Sequence, residues 1–368
     1  MRRRSTMFVN GLRYTLLMRR ALLSLILLVG CDGPPPDLAP PPLGDPIMAP
    51  KNTWIWVDFA DSSCDDGSAT GIGINITDSP NLLIFLNGGG ACWDYLTCFQ
   101  INAASHGPFQ KPQFDAAVAG GLAGTVFDRN VAENPFKNWS YVFVPYCTGD
   151  LHAGDNVATY MDNQGNSKTY HHAGHTNVVA YLKRLGATFK SPGKVVVSGS
   201  SAGGYGASFN YATVRTYWPA AKSYLLDDSG PALEEDDIPP SYRDAWYANW
   251  RLDKLLDPIC PDCKTNLALA VKYLIDHYPN DRLSLLSSLQ DKTIRSYMLL
   301  TAIAFQNAIL KVSMDYFDPS SNYRYFFVTG ETHTMLGAPA NFTSQGVGLW
   351  AWLGQLVGDD PVWKSLKP

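Results

Sequence analysis

The sequence predicts an α/β fold in which helices cover both faces of a mostly parallel sheet, and three observations carry that expectation. Short apolar or β-branched runs alternate with helix-capable stretches along most of the chain. The inner runs are continuously apolar, as strands buried on both faces must be. One of them, Lys194-Val195-Val196-Val197-Ser198, stops at Gly199-Ser200-Ser201-Ala202-Gly203, and a helix-capable stretch begins at once. That G-x-S-x-G corner forces a strand to turn directly into a helix, with no room for a Cβ two residues before or after the serine.

Taken in order, eight runs read as strands: Thr53–Phe59, Gly71–Thr77, Asn81–Leu86, Ser140–Tyr146, Lys194–Ser198, Lys222–Leu226, Leu283–Ser288 and Tyr323–Thr329. Helices are expected at Asn177–Gly186, where Val178, Val179, Tyr181, Leu182 and Leu185 share a face, and from the elbow to about Tyr217. Two more are expected at Ser296–Val312 and Gly346–Val357. Residues 231–280 read as a helical insertion able to roof a pocket. Its aromatics Trp246, Tyr247 and Trp250 could line that pocket, with ordinary packing the plainer account. No internal repeat is present.

The chemistry-bearing residues follow strand ends in a telling order. A Gly88-Gly89-Gly90 turn follows the third run, Ser201 the fifth, Asp291 the seventh and His333 the eighth. Ser…Asp…His on loops at the carboxyl ends of strands is the order of an α/β-hydrolase fold. Ser201 would be the nucleophile, His333 its base, and Asp291 the group that orients the imidazole, with Asp228 after the sixth run as competitor. The Ala202 amide points where an oxyanion would form, and the bare glycine turn can bring further amides close to it.

The remaining signals bound the setting. A net charge of -4 leaves no basic stripe for nucleic acid. Met18-Arg19-Arg20, an apolar run and Leu28-Val29-Gly30-Cys31 read as an export signal over residues 1–31, with Cys31 lipidated as in a bacterial lipoprotein. Met18 could serve as the true start. Residues 32–50 are proline-rich and read as an extended spacer, leaving 51–368 as the hydrolase domain. Six cysteines remain in an exported chain, which suggests disulfides. Cys92 and Cys98 are close enough for a local loop, Cys260 and Cys263 could close on themselves, and Cys64 with Cys147 would pair by elimination. The rival reading of Cys260-Pro261-Asp262-Cys263, half a zinc site, lacks a second ligand pair. His171, His172 and His175 read as loop and helix-entry residues, and Glu234-Glu235-Asp236-Asp237 as a solvated loop edge, with calcium the weaker alternative. No metal or cofactor is expected.

Three stretches in order, Leu82 to Cys92, Val144-Pro145-Tyr146-Cys147-Thr148-Gly149-Asp150 and Gly199 to Gly204, resemble the pectin acetylesterase/Notum family of carboxylesterases, in its bacterial branch. The resemblance implies an α/β-hydrolase fold, no metal, and removal of acyl groups from oxygen. It implies Ser201 as nucleophile, the amides of Gly89, Gly90 and Ala202 as oxyanion hole, and a loop disulfide at Cys92 and Cys98. Two departures stand out. The family's tryptophan beside the glycine turn is here Ala91 with Trp93 after the cysteine, and the run containing His333 has no cysteine. The expectation is an exported, lipid-anchored, monomeric serine carboxylesterase whose leading substrate is acetylated polysaccharide. Lipid-ester or polyester hydrolysis, acyl transfer, and a catalytically retired binding scaffold are the alternatives.

Overall fold

The computed structural model describes residues 40–368. The signal-type segment, its Cys31 and the first half of the proline-rich stretch lie outside the described residues. All eight expected runs are strands of one sheet. In chain order the strands are β1 (Ile55–Phe59), β2 (Thr70–Asn75), β3 (Asn81–Leu86), β4 (Ser140–Val144), β5 (Asn156–Met161), β6 (Ser167–His172), β7 (Lys194–Ser200), β8 (Lys222–Asp228), β9 (Arg282–Ser288), β10 (Tyr323–Val328) and a two-residue pair, β11 (Thr343–Ser344) and β12 (Val347–Gly348). The main sheet runs β1-β2-β4-β3-β7-β8-β9-β10, and β5 and β6 form a separate antiparallel hairpin. From β4 onward every main-sheet neighbour pair is parallel, while β1 and β2 are antiparallel additions at one edge. This is the α/β-hydrolase fold the residue order called for.

The helices are α1 (Lys111–Gly121), α2 (Gly174–Thr188), α3 (Ala202–Tyr217), α4 (Pro240–Asn249), α5 (Asp253–Leu256), α6 (Ala268–His277), α7 (Lys292–Tyr297), α8 (Ala302–Val312) and α9 (Leu349–Val357). One face of the sheet carries the larger core, built with α2, α3 and the insertion helices α4 to α6; the other packs mainly on α9. Helix α3 is buried along nearly its whole length, so the elbow is anchored from below. Among the described residues no helix is long and apolar enough to cross a membrane.

Several expectations are corrected. The helix expected over Ser296–Val312 is broken into α7 and α8, because Leu299 adopts φ 57° and Thr301 caps a new helix through the Ala304 amide. His171 and His172 are strand residues of β6 rather than loop residues, since the polar run Ser167–His172 pairs with Asn156–Met161. Among the described residues no three His, Cys, Asp or Glu side chains gather as metal ligands would. The second half of the proline-rich stretch is not a free spacer. The Gly44 amide donates to Lys183 O (3.1 Å), the Ile47 amide to Thr188 Oγ1 (2.8 Å), and the Ile47 side chain is buried. An extended chain keeps its non-proline donors free, and here they dock along α2.

Disulfides join Cys64 to Cys147, Cys92 to Cys98 and Cys260 to Cys263. The first two brace loops on either side of the glycine turn. The amide of Cys92 donates to Gly149 O, and that of Asp65 to Cys147 O, which ties those loops together.

Candidate active site

The elbow is built by crowding. Ser201 sits at φ 59° and ψ -120°, a conformation costing a non-glycine residue about 1–3 kcal/mol. A Cβ on Gly199 would run into the main chain of Gly203, and one on Gly203 into the carbonyl of Leu86. The strain is held by backbone bonds: the Ser201 amide donates to Asp228 O (2.7 Å), and the Gly204 amide to Ser201 O (2.9 Å). The result turns the serine away from both strand and helix ladders, at the positive end of α3.

Beside it lies the glycine turn after β3. Gly90 has φ 78°, and an added Cβ there would meet Ala103 O and the Tyr297 hydroxyl. The amides of Gly89, Gly90 and Ala202 have no hydrogen-bond partner among the described residues. Orphan donors of this kind at a helix N-terminus and a bare turn form an anion receptor. Two side chains absent from the sequence-based expectation aim that turn. The hydroxyl of Tyr146 donates to Gly90 O (2.8 Å) and accepts from the Leu151 amide (2.9 Å). His152 donates from Nε2 to Asn87 O (2.9 Å), and its ring packs on Tyr146. Burial pushes the His152 pKa down to about 4, so the ring is neutral, and burial holds the Tyr146 hydroxyl in its protonated form. Leu151 and His152 both have positive φ (59° and 57°), which places the imidazole under the turn. The contacts of Tyr146 and His152 reach 56 and 65 residues along the chain, so no local pattern announced them. The only hint was their place within and just after the Val144–Asp150 stretch.

His333 and Asp291 meet. His333 Nδ1–H donates to Asp291 Oδ2 (2.7 Å), while Asp291 Oδ1 accepts from the amides of Thr293 (2.9 Å) and Ile294 (3.0 Å) at the start of α7. Asp291 is wholly buried. The other ring nitrogen, Nε2, is buried and has no hydrogen-bond partner among the described residues, Ser201 Oγ included. Hydrogen bonds of this type are often long until substrate is bound. The competing carboxylate is engaged elsewhere. Asp228 Oδ2 accepts from Ser200 Oγ (2.7 Å) and from the amides of Met335 and Leu336 (both 2.9 Å), which fastens the elbow to the loop carrying His333. No Asp228 oxygen bonds His333.

A narrow cavity opens on Ser201, walled by Ala91, Tyr205, Trp246, Ile294, Tyr297 and Met298, with room of about 30 Å³. Of the insertion aromatics, Trp246 lines it, whereas Trp250 stacks behind and donates from Nε1 to Cys92 O (2.9 Å). Tyr247 is buried in the packing of the insertion.

Fold and site define a protein of the α/β-hydrolase class with a serine elbow, a histidine–aspartate pair and an amide-lined hole on strand-end loops. The pectinacetylesterase family model matches residues 53–280, and the chain belongs to that family. The match stops short of the loops that carry Asp291 and His333. The chain is 24% identical over 210 residues to the palmitoleoyl-protein carboxylesterase NOTUM of Drosophila melanogaster, covering 52% of this chain and 30% of that protein. It is 26% identical over 196 residues to pectin acetylesterase 11 of Arabidopsis thaliana, covering 50% of this chain and 46% of that one. The chain thus spans less than half the length of these relatives. The solved Wnt deacylase Notum from Drosophila superposes with a TM-score of 0.61 at 18% identity, over 85% of this chain and 94% of that one. That likeness speaks to the fold.

Proposed function

We propose that the protein is an exported serine carboxylesterase that removes short acyl groups, acetyl foremost, through an acyl-enzyme on Ser201. The observation that carries this reading is the bonded His333–Asp291 pair, on loops that follow β9 and β10 as the strained Ser201 and the unpaired amides follow β7 and β3. Ser201 Oγ attacks the ester carbonyl carbon as its proton passes to His333 Nε2. The carbonyl oxygen becomes an oxyanion held by the amides of Gly89, Gly90 and Ala202. Collapse breaks the bond to the alcohol, whose oxygen takes the proton from His333. Water then repeats the sequence on the acyl-enzyme and frees Ser201. Asp291 keeps the Nδ1 proton in place and stabilises the imidazolium throughout.

A cavity with room of about 30 Å³ beside Ser201 matches an acyl methyl, which favours deacetylation over lipid-ester or polyester hydrolysis. Membership of the pectinacetylesterase family makes acetylated polysaccharide the leading substrate. Three disulfides suit an oxidising compartment, and with the signal-type segment they support export, with Cys31 as lipid anchor. The unbonded His333 Nε2 is the one observation that suits a retired binding scaffold instead. A fluorophosphonate probe decides between them: the wild type should be labelled and Ser201→Ala should not. On chromogenic esters, kcat/KM should fall at least tenfold from acetate to butyrate. An unlabelled wild type, or turnover retained in Ser201→Ala, would sink the assignment.

A further inference from the structure

The net charge of -4 conceals a local excess of cations at the end of the sheet opposite the catalytic loops. Strands β7, β8 and β9 open on Lys194, Lys222 and Arg282, and Arg324 is the second residue of β10. These strands are parallel neighbours, so their basic residues form a row along one end of the sheet. Lys190, exposed between α2 and β7, extends the row. One carboxylate, Asp359, serves three of its members, lying 2.9 Å from Lys194 and 3.8 Å from both Lys222 and Arg282. Asp281 is matched by Arg215 (2.8 Å) and Asp78 by Lys51. Neither Lys190 nor Arg324 is ion-paired among the described residues.

Apolar side chains stand exposed at the same end. Residues 43–51 pass from the last turns of α2, where Ile47 docks on Thr188, to the end of β2, where the Asn52 amide donates to Ile76 O (2.7 Å). Strand β2 is antiparallel to β4, so its end lies with the amino ends of the parallel strands. On this strap Leu43 is 58% and Met48 87% exposed. Val362, whose amide bonds Asp360 next to Arg282, is 59% exposed.

We propose that this end of the sheet is a docking face for an anionic bilayer, which leaves the catalytic loops facing away from the lipid. Exposed apolar side chains among lysines and arginines make an interfacial contact: the apolar groups enter the headgroup boundary while the cations stay with the phosphates. Helix capping accounts for part of the row. Lys194 donates to Val357 O and Arg282 to Gln355 O (2.9 Å) at the end of α9, where a cation suits the helix dipole. Capping leaves Lys190 and the exposed Met48 unexplained. The other end carries the opposite sign, since Glu234-Glu235-Asp236-Asp237 follows the carboxyl end of β8. An anionic surface therefore attracts one end of the sheet and repels the other. Cys31 stands twelve residues before Leu43 in the sequence, a length of chain that spans at most about 40 Å. A lipid on Cys31 would restrain the domain to the bilayer without orienting it; the basic end supplies the orientation. Esters within that bilayer then lie at the end of the sheet away from Ser201, which agrees with a polymeric substrate.

The inference needs neither the Ser201 chemistry nor lipidation of Cys31. Residues 32–368 contain the whole sheet and its cores and omit both Cys31 and the apolar run before it, so this chain isolates the face. Its sedimentation with vesicles of equimolar phosphatidylglycerol and phosphatidylcholine is compared with that on phosphatidylcholine alone. Binding should be at least tenfold tighter to the anionic vesicles and should weaken as salt is raised. Each cation near such a surface is worth about fivefold in affinity. Lys190→Glu combined with Met48→Asp should therefore lower binding at least tenfold, with the melting profile unaltered. If that pair changes the melting, Lys190→Gln with Met48→Ser replaces it, and a loss of at least threefold is expected. Lys168→Glu, on the hairpin that follows the carboxyl end of β4, is the control and should bind as the wild type does. No preference for anionic vesicles, an unaltered preference in the paired variants, or an equal loss in Lys168→Glu overturns the proposal. So does binding of soluble polygalacturonate that the paired variants abolish, without vesicle binding, since the face would then hold a polyanion. The assay needs no turnover, so its failure is distinct from failure of the Ser201 reading.

Discussion

Asp228 ends β8 and Asp291 follows the end of its parallel neighbour β9; both are wholly buried, and they spend their oxygens differently. Asp291 gives one oxygen to the start of α7 and keeps the other for His333. Asp228 gives both to hydroxyls and amides of the elbow and the histidine loop. The same division recurs across the site. Asp291 reaches the side chain of His333, whereas Asp228, His152 and Tyr146 bond the backbone of the histidine loop and the glycine turn. Residue type alone does not separate the two groups; where each polar atom's partner lies does.

The sharpest break of that comparison is a pair of isosteric substitutions. Asp291→Asn should leave folding nearly intact and lower kcat about four orders of magnitude, because the amide favours the wrong imidazole tautomer. Asp228→Asn should act the other way round. Its new NH2 would face the amide donors of Met335 and Leu336, costing about 3 kcal/mol of stability, while activity at low temperature falls far less. Steady-state kinetics and thermal melts on both proteins check this. If Asp228→Asn destroys turnover and Asp291→Asn does not, the orienting acid belongs to β8.

His152 tests the backbone-facing group through pH. Its folded pKa is pushed down to about 4 from 6.5, so the unfolded chain binds the extra proton first. Its contribution to stability is therefore full above pH 6.5 and is lost as pH falls toward 4, by up to about 3 kcal/mol. Burial raises Asp150 and Asp227 to about 7, which gives a slope of opposite sign in the same window. The wild-type profile alone is thus uninformative, and the difference between wild type and His152→Gln is the quantity to measure. That difference, from denaturant melts, should shrink steadily from pH 6.5 to 4. A constant difference would mean that His152 is not held neutral beneath the glycine turn.

How much was legible follows from range. The main strands could be read because burial on both faces leaves a continuous apolar run such as Leu82–Leu86. The elbow could be read because Gly199 and Gly203 are fixed by contacts within a few residues. The hairpin β5–β6 was missed although its turn, Asp162-Asn163-Gln164-Gly165, carries ordinary turn chemistry, because its strands are polar and lie outside the main sheet. The break between α7 and α8 had a readable half, the cap at Thr301, and an unreadable half, the left-handed Leu299. The docking of Ile47 and the roles of Tyr146 and His152 depend on partners 56 to 141 residues away, which a linear pattern does not encode.

Tyr146→Phe is the finest probe of the two groups, since it removes a single oxygen from a fully enclosed ring. Loss of that hydroxyl frees Gly90 O and leaves the Leu151 amide unpaired, so the turn can rotate its amides away from the oxyanion position. The transition state feels this more than the bound ester, because only the former carries full charge on oxygen. The expected result is a fall in kcat of about tenfold with KM within twofold, corresponding to about 1.4 kcal/mol. Fluorophosphonate labelling of Ser201 should slow in parallel, since that probe also places an oxygen among the same amides. A merely structural tyrosine would instead lower the melting temperature and leave kcat of the folded fraction unaltered. A KM effect without a kcat effect would move Tyr146 from the oxyanion turn to the binding of substrate.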